Sequence, residues 1–353
     1  MPTVSVLMAV YNGEAWLREA IDSILGQTFT DLEFVIVDDG STDGSADIIA
    51  SYRDPRIRSI RNARNSGLTR SLNLGLAECR GALVARQDAD DVSEPSRLAE
   101  QVAYLEAHPD VAVVGTWYTK IGPDGEVLGT RPLPTLPLEI QWAMLFHCPL
   151  IHSGVLFRRE VLARETGFYD ERFSYAQDYD LWSRVADRLP VANVPAYLLR
   201  LRINPASMTA TYGERTLEGP QISLALMTRL LGRALGPAPE RKLAALQTLV
   251  LRTGLEVPAS ELVAATADLL ALHEAFCARR GLPPAEAAAG GARLREGVAR
   301  RLTELAANRR SRSLSERREL LRGAWALSPT ALLSADGLRA FAGLGLPERV
   351  RPG

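Results

Sequence analysis

Along residues 4 to about 115, short runs of aliphatic and β-branched residues alternate with stretches whose apolar positions recur at helical spacing: VSVLMAV, WLREAIDSILGQT, LEFVIVDD, SADIIASYR, IRSIRN, TRSLNLGLAEC, GALVARQDAD, SRLAEQVAYLEAH and VAVVGTWY. This alternation of strand and helix predicts an α/β unit with a parallel sheet covered on both faces. Ser41, Thr42 and Asp43 offer helix caps after the second strand, and Pro95 suits the first turn of a helix capped by Ser93 or Glu94. In such sheets ligands bind at the carboxyl ends of the strands.

From about residue 212 the pattern changes to Ala, Leu and Arg at helical spacing, interrupted by GPAPE, GLEVPAS, GLPPAE and LSPT. Within SLALMTRLLGRALG, Leu224, Met227, Leu231 and Ala234 share one face while Arg229 and Arg233 fall elsewhere, as an amphipathic helix requires. The reading is five or six helices without strands, with AAAGGA at residues 287 to 292 as a loop.

Composition narrows the function. The 353 residues, 46% of them hydrophobic, suffice for two cores. A formal net charge of −1 excludes a global pull toward nucleic acid or membranes, so any polyanion site must be local. Cys79, Cys148 and Cys277 are far apart and lack metal-ligand spacing, and the chain enters a strand-like run without a charged and apolar leader. The expectation is a reduced, cytoplasmic protein. No apolar run approaches the ~20 residues of a spanning helix, so no integral membrane segment is expected.

The candidate chemistry is acidic. Asp88, Asp90 and Asp91 follow the apolar run GALVA directly, and carboxylates crowded at one strand end repel unless a cation sits among them. A hard divalent ion, Mg²⁺ or Mn²⁺, bridging the diphosphate of a nucleotide is one solution; a solvated Asp-rich turn is the other. In VIVDDGSTDGS, Asp38 and Asp39 end the second strand, where a carboxylate can accept from a base or a ribose, and Gly40 permits a tight turn. In AVYNGE, Tyr11 follows the first strand and could cover a base. The ends of strands one, two and four would converge on one crevice.

These segments, together with YAQDYDLWSRV, resemble glycosyltransferase family 2, inverting nucleotide-sugar transferases with a GT-A fold, over residues 3 to about 208. The resemblance implies a GT-A domain at 1–211, with a nucleotide-sugar half to about 115 and an acceptor and catalytic half at 116–211, followed by a helical domain at 212–353. It implies that Ala9, Tyr11, Asn12 and Asp39 line the nucleobase site, that Arg70 approaches the diphosphate, and that Asp88 and Asp90 form the DXD pair. Asp90 is the expected metal ligand and Asp88 the ribose contact. Asp178 takes the place of the general base, preceded by Gln177 where the family has Glu. His152, Gln177, Trp182, Arg202 and Asn204 are candidates for acceptor or diphosphate contacts; Asn204 stands where family members carry a His.

The resemblance further implies a UDP-sugar donor and a glycan, lipid-linked or protein acceptor. Without membrane helices or a Gln-x-x-Arg-Trp motif, the expected transfer is non-processive and serves cell-surface glycan or polysaccharide synthesis. No nucleic acid partner is expected. Peripheral binding at the inner face of the membrane, and homo-oligomers formed through the C-terminal helices, would suit the Arg clusters at Arg300, Arg301, Arg309, Arg310 and Arg312. The competing readings are a sugar nucleotidyltransferase, disfavoured because AVYNGEAW carries no Lys or Arg, and a non-catalytic nucleotide-sugar-binding scaffold.

Overall fold

The computed structural model describes residues 1–204, 217–251, 253, 255–308, 312–334 and 336. The chain divides into two compact units, Met1–Gly219 and Pro220–Gly353. The expected boundary at 211/212 and residues Arg309 and Arg310 lie outside the described residues.

The first unit holds β1 (Val4–Val10), α1 (Leu17–Leu25), β2 (Leu32–Asp38), α2 (Ser45–Ser51), β3 (Ile57–Arg61), α3 (Leu68–Glu78), β4 (Leu83–Arg86), β5 (Val92–Ser93), α4 (Arg97–Ala107), β6 (Val113–Ile121), β7 (Val127–Arg131), α5 (Pro137–Ala143), β8 (Leu156–Arg158), α6 (Arg159–Glu165), α7 (Gln177–Arg188) and β9 (Val191–Arg202). The strands form one mixed sheet in the order β3-β2-β1-β4-β8-β6-β9-β5, with β7 paired to β6. β1 lies parallel to β2 and β4 on its two sides, and β2 lies parallel to β3. The carboxyl ends of β2 and β4 therefore flank that of β1, and the two acidic segments leave the sheet on either side of the first strand. β8 joins antiparallel to β4, and β9 runs parallel to β6.

β1 and β2 are buried along their whole length, which is why they read as unbroken apolar runs. Helix α1 covers one face with Leu17, Ala20, Ile21 and Ile24, spaced to fall on a single stripe. With Phe34, Leu98, Val102 and Leu156 these side chains form the core beneath the strand ends. Each fully buried aliphatic contributes roughly 1.5–3 kcal/mol. The two-residue β5, which follows the acid turn, pairs antiparallel with Leu199 and Arg200 of β9. The acid turn is thus anchored on both sides.

Two expected helix starts shift. Ser93 is consumed by strand pairing, so α4 begins at Arg97 behind Ser96, and Pro95 precedes the helix, its carbonyl accepting the Thr28 N–H at 2.9 Å. α2 begins behind Gly44, with Asp43 Oδ1 accepting the Ser45 N–H at 3.0 Å.

Helices α8 (Glu218–Leu231), α9 (Pro239–Leu251), α10 (Ala259–Arg279), α11 (Pro284–Ala307) and α12 (Leu314–Leu327) follow, without strands among the described residues. α8 starts two residues before the unit boundary. AAAGGA is not a loop: it lies inside α11. Alanine favours the helix, and the glycines let α11 approach α10 closely, since a Cβ on Gly290 would stand 2.9 Å from His273 Nε2. Of the Arg clusters, Arg300 pairs with Glu296 at 2.9 Å and Arg301 with Glu304 at 3.1 Å within α11, and Arg312, just ahead of α12, pairs with Glu316 at 3.0 Å. No helix among the described residues is long and apolar enough to cross a membrane.

Candidate active site

The acid turn is held by guanidinium groups. Arg86, the last residue of β4, is 1% exposed, and its Nη2 meets Asp88 Oδ1 at 2.5 Å. The Asp88 N–H donates to Ser153 Oγ at 2.9 Å. From the end of β9, the Arg202 N–H donates to Asp91 Oδ1 at 2.8 Å and its Nε to the Asp90 carbonyl at 2.9 Å. Asn204 Nδ2 reaches Asp90 Oδ2 at 3.1 Å. Below the turn, Gln87 Oε1 accepts from Ser93 Oγ at 2.7 Å and from Arg97 Nη1 at 2.9 Å. Arg97 is wholly buried, and that burial pushes it down to about 9.

This cation supply does not neutralise the turn. Burial and then the Asp88 charge raise the Asp90 carboxyl above its ordinary value, and burial raises Asp91 well above it. Asp91 Oδ2 is buried without a hydrogen-bond partner among the described residues. Crowded oxygens with surplus negative charge fit a hard divalent cation. The described residues contain no group of three or more His, Cys, Asp or Glu arranged as a ligand set. A cation here would therefore draw much of its coordination shell from a ligand.

Next to the acid turn, Asp39 cradles the loop after β3. It accepts from Asn62 Nδ2 at 2.7 Å, from the Ser66 N–H at 2.9 Å and Oγ at 2.8 Å, and from the Gly67 N–H at 2.9 Å. Burial works to raise this carboxyl, and the hydrogen bonds from Asn62 and Ser66 outweigh it, holding it below the ordinary value. Gly40, at φ +73°, is required because a Cβ would lie 2.5 Å from the Arg64 carbonyl carbon. Asp38 accepts the Ser41 N–H at 2.9 Å and lies 3.2 Å from Arg61 Nε. Asn12, at φ 52°, ties the first loop to the second by accepting the Thr42 N–H at 2.9 Å. Tyr11 stands exposed beside this seam, and Ala9 is buried opposite Val37.

The N-terminus of α7 lies within electrostatic reach of the acid turn. Leu181, Trp182, Val185 and Ala186 bury one face of this helix, leaving Asp178, its second residue, half-buried. Asp178 is pushed up to about 6 by burial, with the Asp88 charge adding, against the Tyr179 N–H that donates to its Oδ1 at 2.8 Å. The Asp178 charge in turn adds to burial in raising the Cys148 thiol. Asp178 and Asp88 therefore share one electrostatic neighbourhood.

A model of the family "Glycosyl transferase family 2" matches residues 5–165. An uncharacterized glycosyltransferase of Haemophilus influenzae is 33% identical over 227 residues, 62% of this chain and 70% of the relative. The chain belongs to glycosyltransferase family 2. The amylovoran biosynthesis glycosyltransferase AmsE of Erwinia amylovora is 32% identical over 203 residues, 56% of this transferase and 75% of the relative. Among solved structures, S. aureus TarS in complex with UDP-GlcNAc superimposes with a TM-score of 0.56 at 18% identity, covering 93% of this chain and 91% of that one. That likeness is one of fold, and the fold is of the GT-A type.

The transferase fold brings Asp88, Asp90, Arg202 and Asn204 together, sets Tyr11, Asn12 and Asp39 on the loops after the first two strands, and puts Asp178 within reach of the Asp88 charge. The Arg70 side chain is largely exposed and pairs with Glu171 at 3.1 Å. Arg202 is committed as a staple, with Nη1 on the Gly122 and Pro123 carbonyls, Nη2 on Glu19 at 2.5 Å, and the guanidinium over the Trp16 ring. His152 is hydrogen-bonded to the Tyr169 hydroxyl at 2.8 Å and packs edge-on to Trp182; burial, followed by the Arg86 charge, pushes it down to about 3. It is a neutral core imidazole. Gln177 is buried, with its Oε1 unpartnered among the described residues.

Sequence reading missed Arg86, Arg97, Ser153 and Glu19. Arg86 was in view, a cation two residues from the first Asp of the turn. Ser153 and Glu19 reach their partners across 65 and 183 residues and leave no local signal.

Proposed function

We propose that this transferase moves a sugar from a nucleoside diphosphate sugar to an acceptor hydroxyl with inversion, one or a few residues at a time, in cell-surface glycan or polysaccharide assembly. The observation that carries the reading is Asp178: a carboxylate raised to about 6, at the start of α7, within reach of the Asp88 charge on the acid turn. A base poised near neutrality is suited to take the proton of an attacking hydroxyl. On the opposite side the acid turn holds the donor, with Asp88 toward the ribose and Asp90 toward a divalent ion, Mn²⁺ or Mg²⁺. Such an ion supplies positive charge to the leaving diphosphate. Tyr11 covers the base, while Asn12 and Asp39 hold the loops that frame it.

The similarity to AmsE supports polysaccharide assembly, and the UDP-GlcNAc complex of TarS makes UDP-sugars the first donors to test. The acceptor reaches the site from the cytoplasmic side, and the helical region serves acceptor choice or assembly. A panel of nucleotide sugars read by thermal shift with and without Mn²⁺, followed by turnover with candidate glycans, tests the reading. Metal-dependent stabilisation by one donor is expected. Stabilisation by a sugar 1-phosphate and nucleoside triphosphate, without any by nucleotide sugars, would favour the nucleotidyltransferase instead.

Asn204 gives a sharper test, because its amide donates to the Asp90 oxygen that faces the proposed ion. Asn204→His exchanges a donor for a nitrogen ligand and should tighten Mn²⁺ binding by about 10-fold, measured by calorimetry without nucleotide. Unchanged affinity in a folded variant would remove residue 204 from the ion's surroundings.

A further inference from the structure

The start of α7 is set from far along the chain. Its N-cap residue is Ala176, which has no side chain able to cap, and the helix carries no side-chain cap hydrogen bond. The carboxylate of Glu218, the first residue of α8 and part of the first unit, instead holds the three residues that lead into the helix. Its Oε1 accepts the Ser174 N–H at 3.1 Å, and its Oε2 accepts the Tyr175 and Ala176 N–H groups, each at 2.8 Å. Three successive backbone donors thus converge on one charged acceptor, in bonds stronger than neutral ones.

Upstream, the segment ahead of α7 is held by its own turns and by α3. The Phe173 carbonyl accepts from Thr69 Oγ1 at 2.8 Å, and upstream Asp170 pairs with Arg172 at the surface. Between Phe173 and the helix, the Glu218 carboxylate gathers three successive backbone amides. Asp178 stands two residues beyond the last clamped amide, so the clamp determines where the first turn of α7 begins and where its carboxylate points.

We infer that Glu218 is a positioning residue for the transfer step, fixing Ser174–Ala176 and through them the place of Asp178. The inference rests on the reading of Asp178 as the base. Glu218 touches neither donor nor acceptor. A base misplaced by about 1 Å can cost up to 10²-fold, and loss of the clamp should cost a fraction of that.

The test is a double-mutant cycle on the full chain. Glu218→Ala should lower kcat by about 10-fold with donor KM and melting temperature near wild type, and Glu218→Gln, which keeps one acceptor oxygen, should recover most of the loss. In an Asp178→Asn background Glu218→Ala should cost nothing further, because its target is already gone. Amide hydrogen exchange should show faster exchange at Tyr175 and Ala176 in Glu218→Ala, a readout independent of activity. Equal losses in both backgrounds, unchanged exchange, or full turnover by Glu218→Ala beside a disabled Asp178→Asn would each overturn the inference. Normal turnover by Asp178→Asn would remove the base assignment itself, and the inference with it. If Glu218→Ala does not fold, Glu218→Gln carries the same cycle, with a smaller loss expected in the wild-type background only.

Discussion

Asp178→Asn should lower kcat by roughly 10²-fold or more while leaving metal-dependent donor affinity near wild type. The amide keeps the shape and can still accept the Tyr179 N–H, so only the proton acceptor is lost. With the wild-type carboxyl at about 6, kcat should rise with pH along a limb centred near that value and level off above it. Stability should run the opposite way. The folded-state value exceeds the unfolded one, so the native state binds the proton more tightly; the stability this contributes is full below about pH 4 and is lost as pH rises through about 6. At pH 7.5 the ionised base then costs on the order of 3 kcal/mol. Asp178→Asn should therefore melt higher than wild type at pH 7.5 and about equally at pH 4, by calorimetry at both values. A variant that turns over normally, or that loses donor binding, would refute the role.

The second large effect concerns Arg86. Because its guanidinium is almost fully buried and its Nη2 partner is Asp88, removing the carboxylate strands a charge inside the fold. Asp88→Ala should destabilise the protein by about 3 kcal/mol in urea unfolding, apart from any loss of donor binding. Arg86→Met should cost less, because Asp88 is a third exposed and can be hydrated. The double variant should regain part of the Asp88→Ala loss, since no buried charge is left unpaired. Strictly additive losses would show that the pair does not act as a unit.

The sheet of the first 115 residues was legible because its signals are local: buried parallel strands read as apolar runs, and α1 reads as a stripe. The acid turn was visible for the same reason. Its means of support was not, because charge balance comes from Arg202 across more than 100 residues and from Arg86 inside an apparently apolar strand. His152 illustrates a further limit, since only the fold shows the Tyr169 hydroxyl that satisfies it. AAAGGA misled because its low complexity was read as a loop, whereas its alanines favour the helix and Gly290 and Gly291 leave room for His273 of α10. The clamp ahead of α7 lay beyond reach for the reason that Ser153 did: its Glu218 is 42 residues from Ala176.

The double anchoring of the acid turn makes spacing, more than composition, the inherited constraint. Between Arg86 in mid-sheet and Val92 against β9 the chain has a fixed path to cover, and side chains alternate in direction wherever it is extended. A residue gained or lost there would change which carboxylates look outward and which lie against Arg86 and Arg202, whatever their identities. A turn transplanted from another transferase would have to match this one first in length, and only then in sequence.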